Sequence, residues 1–128
     1  MPALSLYAKN KLLDHLLGKT AYTMPTNLHV ALFTSNPTDQ GTGTEVSGNA
    51  YARQPVTFGA AVNGTSANNV DVVFPVATGS WGTITHIGVY DASTGGNMLF
   101  YGALTTSKTI GVDDQFKIAS GNLTLSLS

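Results

Sequence analysis

The chain has 128 residues, no cysteine and a formal net charge of −1, and only 10% of its residues are charged. That length fits one domain with a single apolar core, and the missing cysteines exclude disulfides and thiolate metal ligands. The weak charge argues against a nucleic-acid partner, which would need clustered Lys and Arg, and no apolar run approaches the roughly 18 residues of a membrane span.

The N-terminal segment, residues 3–17, is predicted to form the only helix of the chain. Four leucines recur near helical spacing along it: Leu6, Leu13, Leu16 and Leu17. Lys9 and Asp14 fall on the other side, and Gly18 is a plausible helix stop. The segment also lacks the basic start of a secretory signal peptide, so we expect no export by that route. Such a helix packs on its own domain or docks onto a neighbouring subunit, and the sequence leaves both alternatives open.

The rest of the chain is predicted to form short strands separated by turn residues. The predicted strands span residues 28–33, 52–58, 70–74, 81–90, 98–104, 116–118 and 123–127. Residues 35–49 and 62–69 are predicted loops, and residues 91–96 form a turn between hairpin partners. This pattern predicts a mainly antiparallel all-β fold, a β-sandwich or a jelly-roll-like barrel with one N-terminal amphipathic helix. We expect a single domain over 1–128, with the helix at 3–17 and the β-sandwich at 27–128.

A search for catalytic or metal-binding patterns finds none that calls for an enzyme. His15, His29 and His86 fall in different predicted elements without zinc-ligand spacing. Asp113 and Asp114 are adjacent, so their side chains diverge on an extended chain. No calcium-loop pattern, serine-nucleophile elbow or phosphate-binding loop is present either. We therefore predict no enzymatic activity, no cofactor and no bound metal.

The aromatic residues and the single arginine are the remaining candidates for a site. Trp81, Tyr90, Phe100 and Tyr101 form either a sugar platform or, as we favour, part of the core. Arg53 is predicted to pair with Glu45 or Asp39, or to anchor an interface. The predicted interface residues are Tyr7, Leu12, Tyr51 and Arg53.

Several segments in a fixed order carry a resemblance to a known family. They are LLDHLLG (12–18), VALFT (30–34), GTEV (43–46), YARQ (51–54), WGTITHIG (81–88) and GGNMLFYGAL (95–104). Through them the chain resembles small virion proteins of tailed bacteriophages, commonly labelled tail fibre proteins. The resemblance implies a structural protein of the virion that is made in the cytoplasm of the host bacterium.

The resemblance leaves the place in the virion open. Because the chain is compact and lacks a stalk, the leading expectation is a head decoration (cement) protein on the capsid surface that binds the major capsid protein. The resemblance implies a symmetric oligomer for such a protein, so we expect a homotrimer. The alternative is a tail-fibre or tail-tip component involved in host attachment, with residues 38–49 and 62–69 as receptor loops. A third hypothesis, a small hydrolase or lectin unrelated to phages, is kept for comparison.

Overall fold

The computed structural model describes residues 3–127, which form antiparallel strands and one helix. The helix is α1 (Leu6–Leu16). The strands are β1 (Ala3–Leu4), β2 (Leu28–Phe33), β3 (Gln54–Val56), β4 (Thr65–Ala67), β5 (Val72–Val73), β6 (Gly82–Tyr90), β7 (Met98–Ile110), β8 (Lys117–Ile118) and β9 (Thr124–Ser126). The prediction of an all-β fold with one N-terminal helix is confirmed.

The strands form one large sheet and two small ones. The large sheet has the order β1-β7-β6-β2-β3, while β4 pairs with β9 and β5 pairs with β8. The core includes Val30 and Ile87 from the large sheet, and Val72 and Leu125 from the two small sheets. The sheets therefore pack face to face as a sandwich, and within residues 3–127 they do not close into a barrel.

Strand β2 is buried on both faces. Val30 and Leu32 point into the main core, as their alternation predicts. On the other face, Ala31 and Phe33 pack with Tyr90 and Met98 in a second, smaller cluster. A Cβ atom on Gly41 would lie 3.8 Å from the Met98 side chain, so the loop after β2 covers this second face.

The N-terminal segment and β7 both differ from their predicted bounds. The described residues start with strand β1, since Ala3 pairs with Tyr101 of β7. The helix begins only after Ser5, whose Oγ accepts the N–H of Ala8 at 3.1 Å. Strand β7 runs on to Ile110, well past the predicted end at residue 104. Residues 104–107 lie opposite a single residue of β6, a large bulge that short-range patterns do not reveal.

The prediction that residues 62–69 form a loop is wrong. The backbone groups of Val62 and Thr65 exchange hydrogen bonds of 2.9 and 3.1 Å across Asn63 and Gly64, which have φ of 54° and 75°. This is a two-residue hairpin turn of the type that Asn-Gly favours. The strand that leaves it, β4, pairs with β9. The Asn-Gly pair is the sequence signal for this turn, but β4 itself, Thr-Ser-Ala, lacks the large apolar residues that usually mark strands.

Replacing Gly64 with alanine should destabilise the fold by more than the roughly 1–2 kcal/mol that left-handed backbone costs an L-residue. A Cβ atom at this position would also lie 2.9 Å from the carbonyl oxygen of Leu127. Gly18 is the matched control, since its φ is +73° but a Cβ atom there would meet no other atom within 4 Å. Chemical denaturation should show a larger loss for Gly64→Ala than for Gly18→Ala. Equal losses would mean that the close contact with Leu127 has no effect.

Candidate interaction surface

The helix turns an apolar face to solvent. Ala8 is its only buried residue, whereas Leu13, Leu16 and Leu17 are 55%, 76% and 69% exposed. These three residues, here called the leucine ridge, are spaced i, i+3 and i+4, with Leu17 as the C-cap residue directly after α1. They therefore lie on one side of the helix and its C-terminal end. An amphipathic helix normally buries such a stripe against its own domain. Here the described part of the chain leaves it uncovered.

Tyr7 and Leu12, two of the predicted interface residues, lie on the same helix and are half-buried. The ammonium group of Lys11 lies 5.7 Å from the centre of the Tyr7 ring, close enough for a weak cation–π contact. Leu12 lies against the domain, where it lines a hollow together with Phe100. Their contact with a partner stays a prediction.

An apolar groove lies beside the helix. It consists of two hollows of about 300 and 250 Å³ that share Leu28, Leu99 and Phe100. The larger hollow is also lined by Phe58, Ala61, Gly64, Ser66, Val89, Leu125, Ser126 and Leu127. The smaller is also lined by Leu4, Ala8, Leu12, Tyr22 and Pro25. Among the described residues no charged side chain lines either hollow, so the groove suits an uncharged, apolar occupant.

Arg53 is the centre of a polar cluster that joins three segments of the chain. Its Nε and Nη2 atoms donate to the two carboxylate oxygens of Glu45, each at 2.9 Å. Its Nη1 donates to the carbonyl oxygens of Ala92 and Gly95 at 3.1 and 2.8 Å. Its guanidinium lies 3.8 Å from the centre of the Tyr90 ring. This bidentate, stacked geometry is one that arginine provides and lysine does not.

The electrostatics of the cluster favour one fixed protonation state. Burial opposes the charged form of Arg53, but the hydrogen bonds and charge of Glu45 outweigh it and raise the pKa of Arg53. Burial and then the hydrogen bond to Glu45 raise the pKa of Tyr51 far above its usual value. Tyr51 therefore stays a neutral phenol that donates to Glu45 at 2.6 Å. The cluster is a clamp between the loop after β2 and the β6–β7 turn.

Replacing Tyr51 with phenylalanine should destabilise the protein by roughly 1–3 kcal/mol, because it leaves a buried donor without a partner. The Tyr51 hydroxyl accepts the backbone N–H of Leu32 at 3.1 Å, and Leu32 is fully buried. Tyr101→Phe is the control, since Tyr101 is half-buried and its hydroxyl has no hydrogen bond to the described residues. Urea denaturation should show a lower free energy of unfolding for Tyr51→Phe and no change for Tyr101→Phe. Equal free energies of unfolding for the two variants would contradict the role of the Tyr51 hydroxyl as partner of the Leu32 N–H.

The structure separates the predicted interface residues into two groups. Tyr7 and Leu12 lie on the helix beside the ridge, whereas the polar groups of Tyr51 and Arg53 bind partners inside the chain. Of the two predicted partners of Arg53, Glu45 forms the ion pair. The Oδ2 atom of Asp39 instead lies 3.9 Å from the Nζ atom of Lys9. The residues that line the groove were not predicted as interface residues. Nothing in the sequence of these strands indicates that their apolar side chains remain exposed in the fold.

The histidines make local contacts or none. His15 Nδ1 accepts the N–H of Tyr22 at 3.0 Å, and His86 Nδ1 lies 2.8 Å from the hydroxyl of Thr85. The Nδ1 atom of His29 is buried and has no partner among the described residues. Residues 3–127 contain no cluster of His, Cys, Asp and Glu side chains suited to hold a metal ion. Over the same residues, no helix has the length and apolar character needed to cross a bilayer.

Comparison with known protein families places the chain in one of them. The sequence profile of the family described as "Podophage GP4 fiber I protein gp80" matches residues 3–126. The match spans the helix, the large sheet and both small sheets, so it concerns the whole described fold. No curated protein matches the chain.

Proposed function

Because the chain belongs to the family of the podophage GP4 fiber I protein gp80, a family of phage virion proteins, we propose that it is a structural subunit of a tailed phage's tail fibre. In this proposal it acts by binding its neighbours in the virion and not by catalysis. The observation that carries the proposal is the family match over residues 3–126.

The surface of α1 supports a role in assembly. Leu13, Leu16 and Leu17 place three large apolar side chains side by side in solvent. Contiguous apolar patches on a folded protein mark sites of association. We therefore propose the leucine ridge as a contact with neighbouring fibre subunits. Many copies in one fibre would gain avidity, so each contact can be modest.

The tail location replaces the head surface as the leading proposal. The matching family is described as a fibre protein, and nothing in that description refers to head decoration. The expected binding to the major capsid protein and the expected homotrimer remain untested predictions. A role of residues 38–49 and 62–69 in host attachment also remains a prediction.

Deletion of the gene tests the proposed location. Electron microscopy of the resulting particles should show heads with an unchanged surface and tails that lack fibre density. Complementation with the intact gene should restore the fibres. An altered head surface with complete tail fibres would support the decoration hypothesis and contradict this proposal.

A further inference from the structure

We propose that the leucine ridge of one copy of this chain occupies the apolar groove of a second copy. The inference rests on the proposed function only in taking α1 as an assembly surface. It goes further by naming the partner and the surface that receives the ridge.

The ridge and the groove match in chemistry. The groove has no charged residue among the described residues that line it. Two segments that line the larger hollow are neutral throughout, since residues 54–70 and 118–127 contain no Asp, Glu, Lys, Arg or His. A charged or strongly polar segment would lose its hydration there without gaining a partner. The leucine side chains of the ridge have no polar hydration to lose, so their chemistry matches that of the groove.

The ridge and the groove also adjoin each other on one molecule. Leu12 lines the groove, and Leu13 and Leu16 of the ridge lie one and four positions further along the same helix. A protrusion next to a matching hollow is the arrangement that a two-fold axis makes self-complementary. Each copy then inserts its ridge into the groove of the other, and both contacts form in a single pairing.

The charge of the chain permits this pairing. The formal net charge is −1, so two copies approach each other with little repulsion. A second copy also supplies the required ridge at the same concentration as the groove. The occupant that these observations favour is therefore another copy of this chain.

Sedimentation of the purified protein tests the pairing. We expect the native chain to form a two-copy particle and Leu16→Lys to shift it to the monomer, with at least a tenfold weaker self-association, since a charge in the groove costs more than about 1.4 kcal/mol. Val112→Lys is the matched control, because Val112 is 63% exposed but lines neither hollow. Thermal unfolding should show that both variants remain folded, since neither side chain is buried.

Chemical cross-linking identifies the contacting surfaces. The chain has no cysteine, so a Leu16→Cys copy and an Ala61→Cys copy can be mixed and treated with a short bismaleimide. Ala61 is exposed and lines the groove. We expect mixed dimers in several-fold excess over a mixture of Val112→Cys and Ala61→Cys.

Three results would overturn the inference. The first is a native chain that stays monomeric at all concentrations. The second is a ridge-dependent homotrimer, the assembly that the family resemblance implies, in place of a pair. The third is cross-linking at the level of the Val112 control. Because both experiments use purified protein, they are independent of where the chain sits in the virion. A failed pairing would leave the tail location standing, and a failed tail location would leave the pairing standing.

Discussion

Replacing Trp81 with alanine should lower the free energy of unfolding by roughly 3–5 kcal/mol, the range for truncating a buried large aromatic residue. Trp81 is only 4% exposed. Its ring makes edge contacts with Tyr51 and Phe74 at centroid distances of 5.5 and 6.4 Å. Its Nε1 donates to the carbonyl oxygen of Asn49 at 2.9 Å. The alanine variant would lose these contacts and leave a cavity where the two layers meet.

Trp81→Phe separates the contribution of ring packing to stability from the contribution of the hydrogen bond. It should retain most of the packing and cost roughly 1–2 kcal/mol, since it removes the donor to Asn49 and part of the ring. The bond to Asn49 matters because Asn49 and Ala50 both have positive φ, 53° and 71°, and the indole helps to hold that turn. Urea denaturation provides the measurement. A loss below about 1 kcal/mol for Trp81→Ala would mean that the indole is not part of the core.

Replacing Arg53 with alanine should destabilise the protein by roughly 2–4 kcal/mol, somewhat less than the loss of a fully buried ion-pair partner. The side chain of Arg53 is 8% exposed and that of Glu45 is 26% exposed, so water would partly solvate the abandoned carboxylate. The change also releases the carbonyl oxygens of Ala92 and Gly95. We expect amide hydrogen exchange to speed up in the β6–β7 turn, where Arg53 holds the backbone in the native chain.

The exposed ion pair of Lys117 and Asp71 is the matched control. Its nitrogen–oxygen distance is 3.5 Å and both side chains are about half exposed, so Lys117→Ala should cost less than about 1 kcal/mol. The loss of stability for Arg53→Lys should lie between the losses for Lys117→Ala and Arg53→Ala. Lysine keeps the charge but cannot donate to Glu45 and to both carbonyl oxygens together. If Arg53→Ala cost no more than Lys117→Ala, the cluster would not be a clamp.

The sequence predicts the fold class well because local patterns determine it. Alternation along residues 28–33 and 123–127 marks strands with a buried face, and Gly95 and Gly96 mark the turn between β6 and β7. The hairpin at Asn63-Gly64 was missed although its turn signal is present. The bulge at residues 104–107 depends on pairing with a strand more than ten residues away, which a local pattern does not contain.

The candidate surface was only partly predictable for a different reason. Helical spacing identifies Leu13, Leu16 and Leu17 as neighbours, but it does not say whether the domain covers them. Exposure depends on where the helix comes to lie, and this follows from the pairing of Ala3 and Leu4 with β7. The partner of Arg53 also depends on tertiary structure, because Glu45 and Arg53 meet only when the loop between them closes.

The central claim is that the chain is a fibre subunit that works through contacts with its neighbours. Cryo-electron microscopy of the intact phage at a resolution that traces the backbone tests it most directly. We predict that this sandwich will be found in the tail fibre, with α1 facing another subunit. Its absence from the particle, or its presence on the head surface alone, would contradict the account.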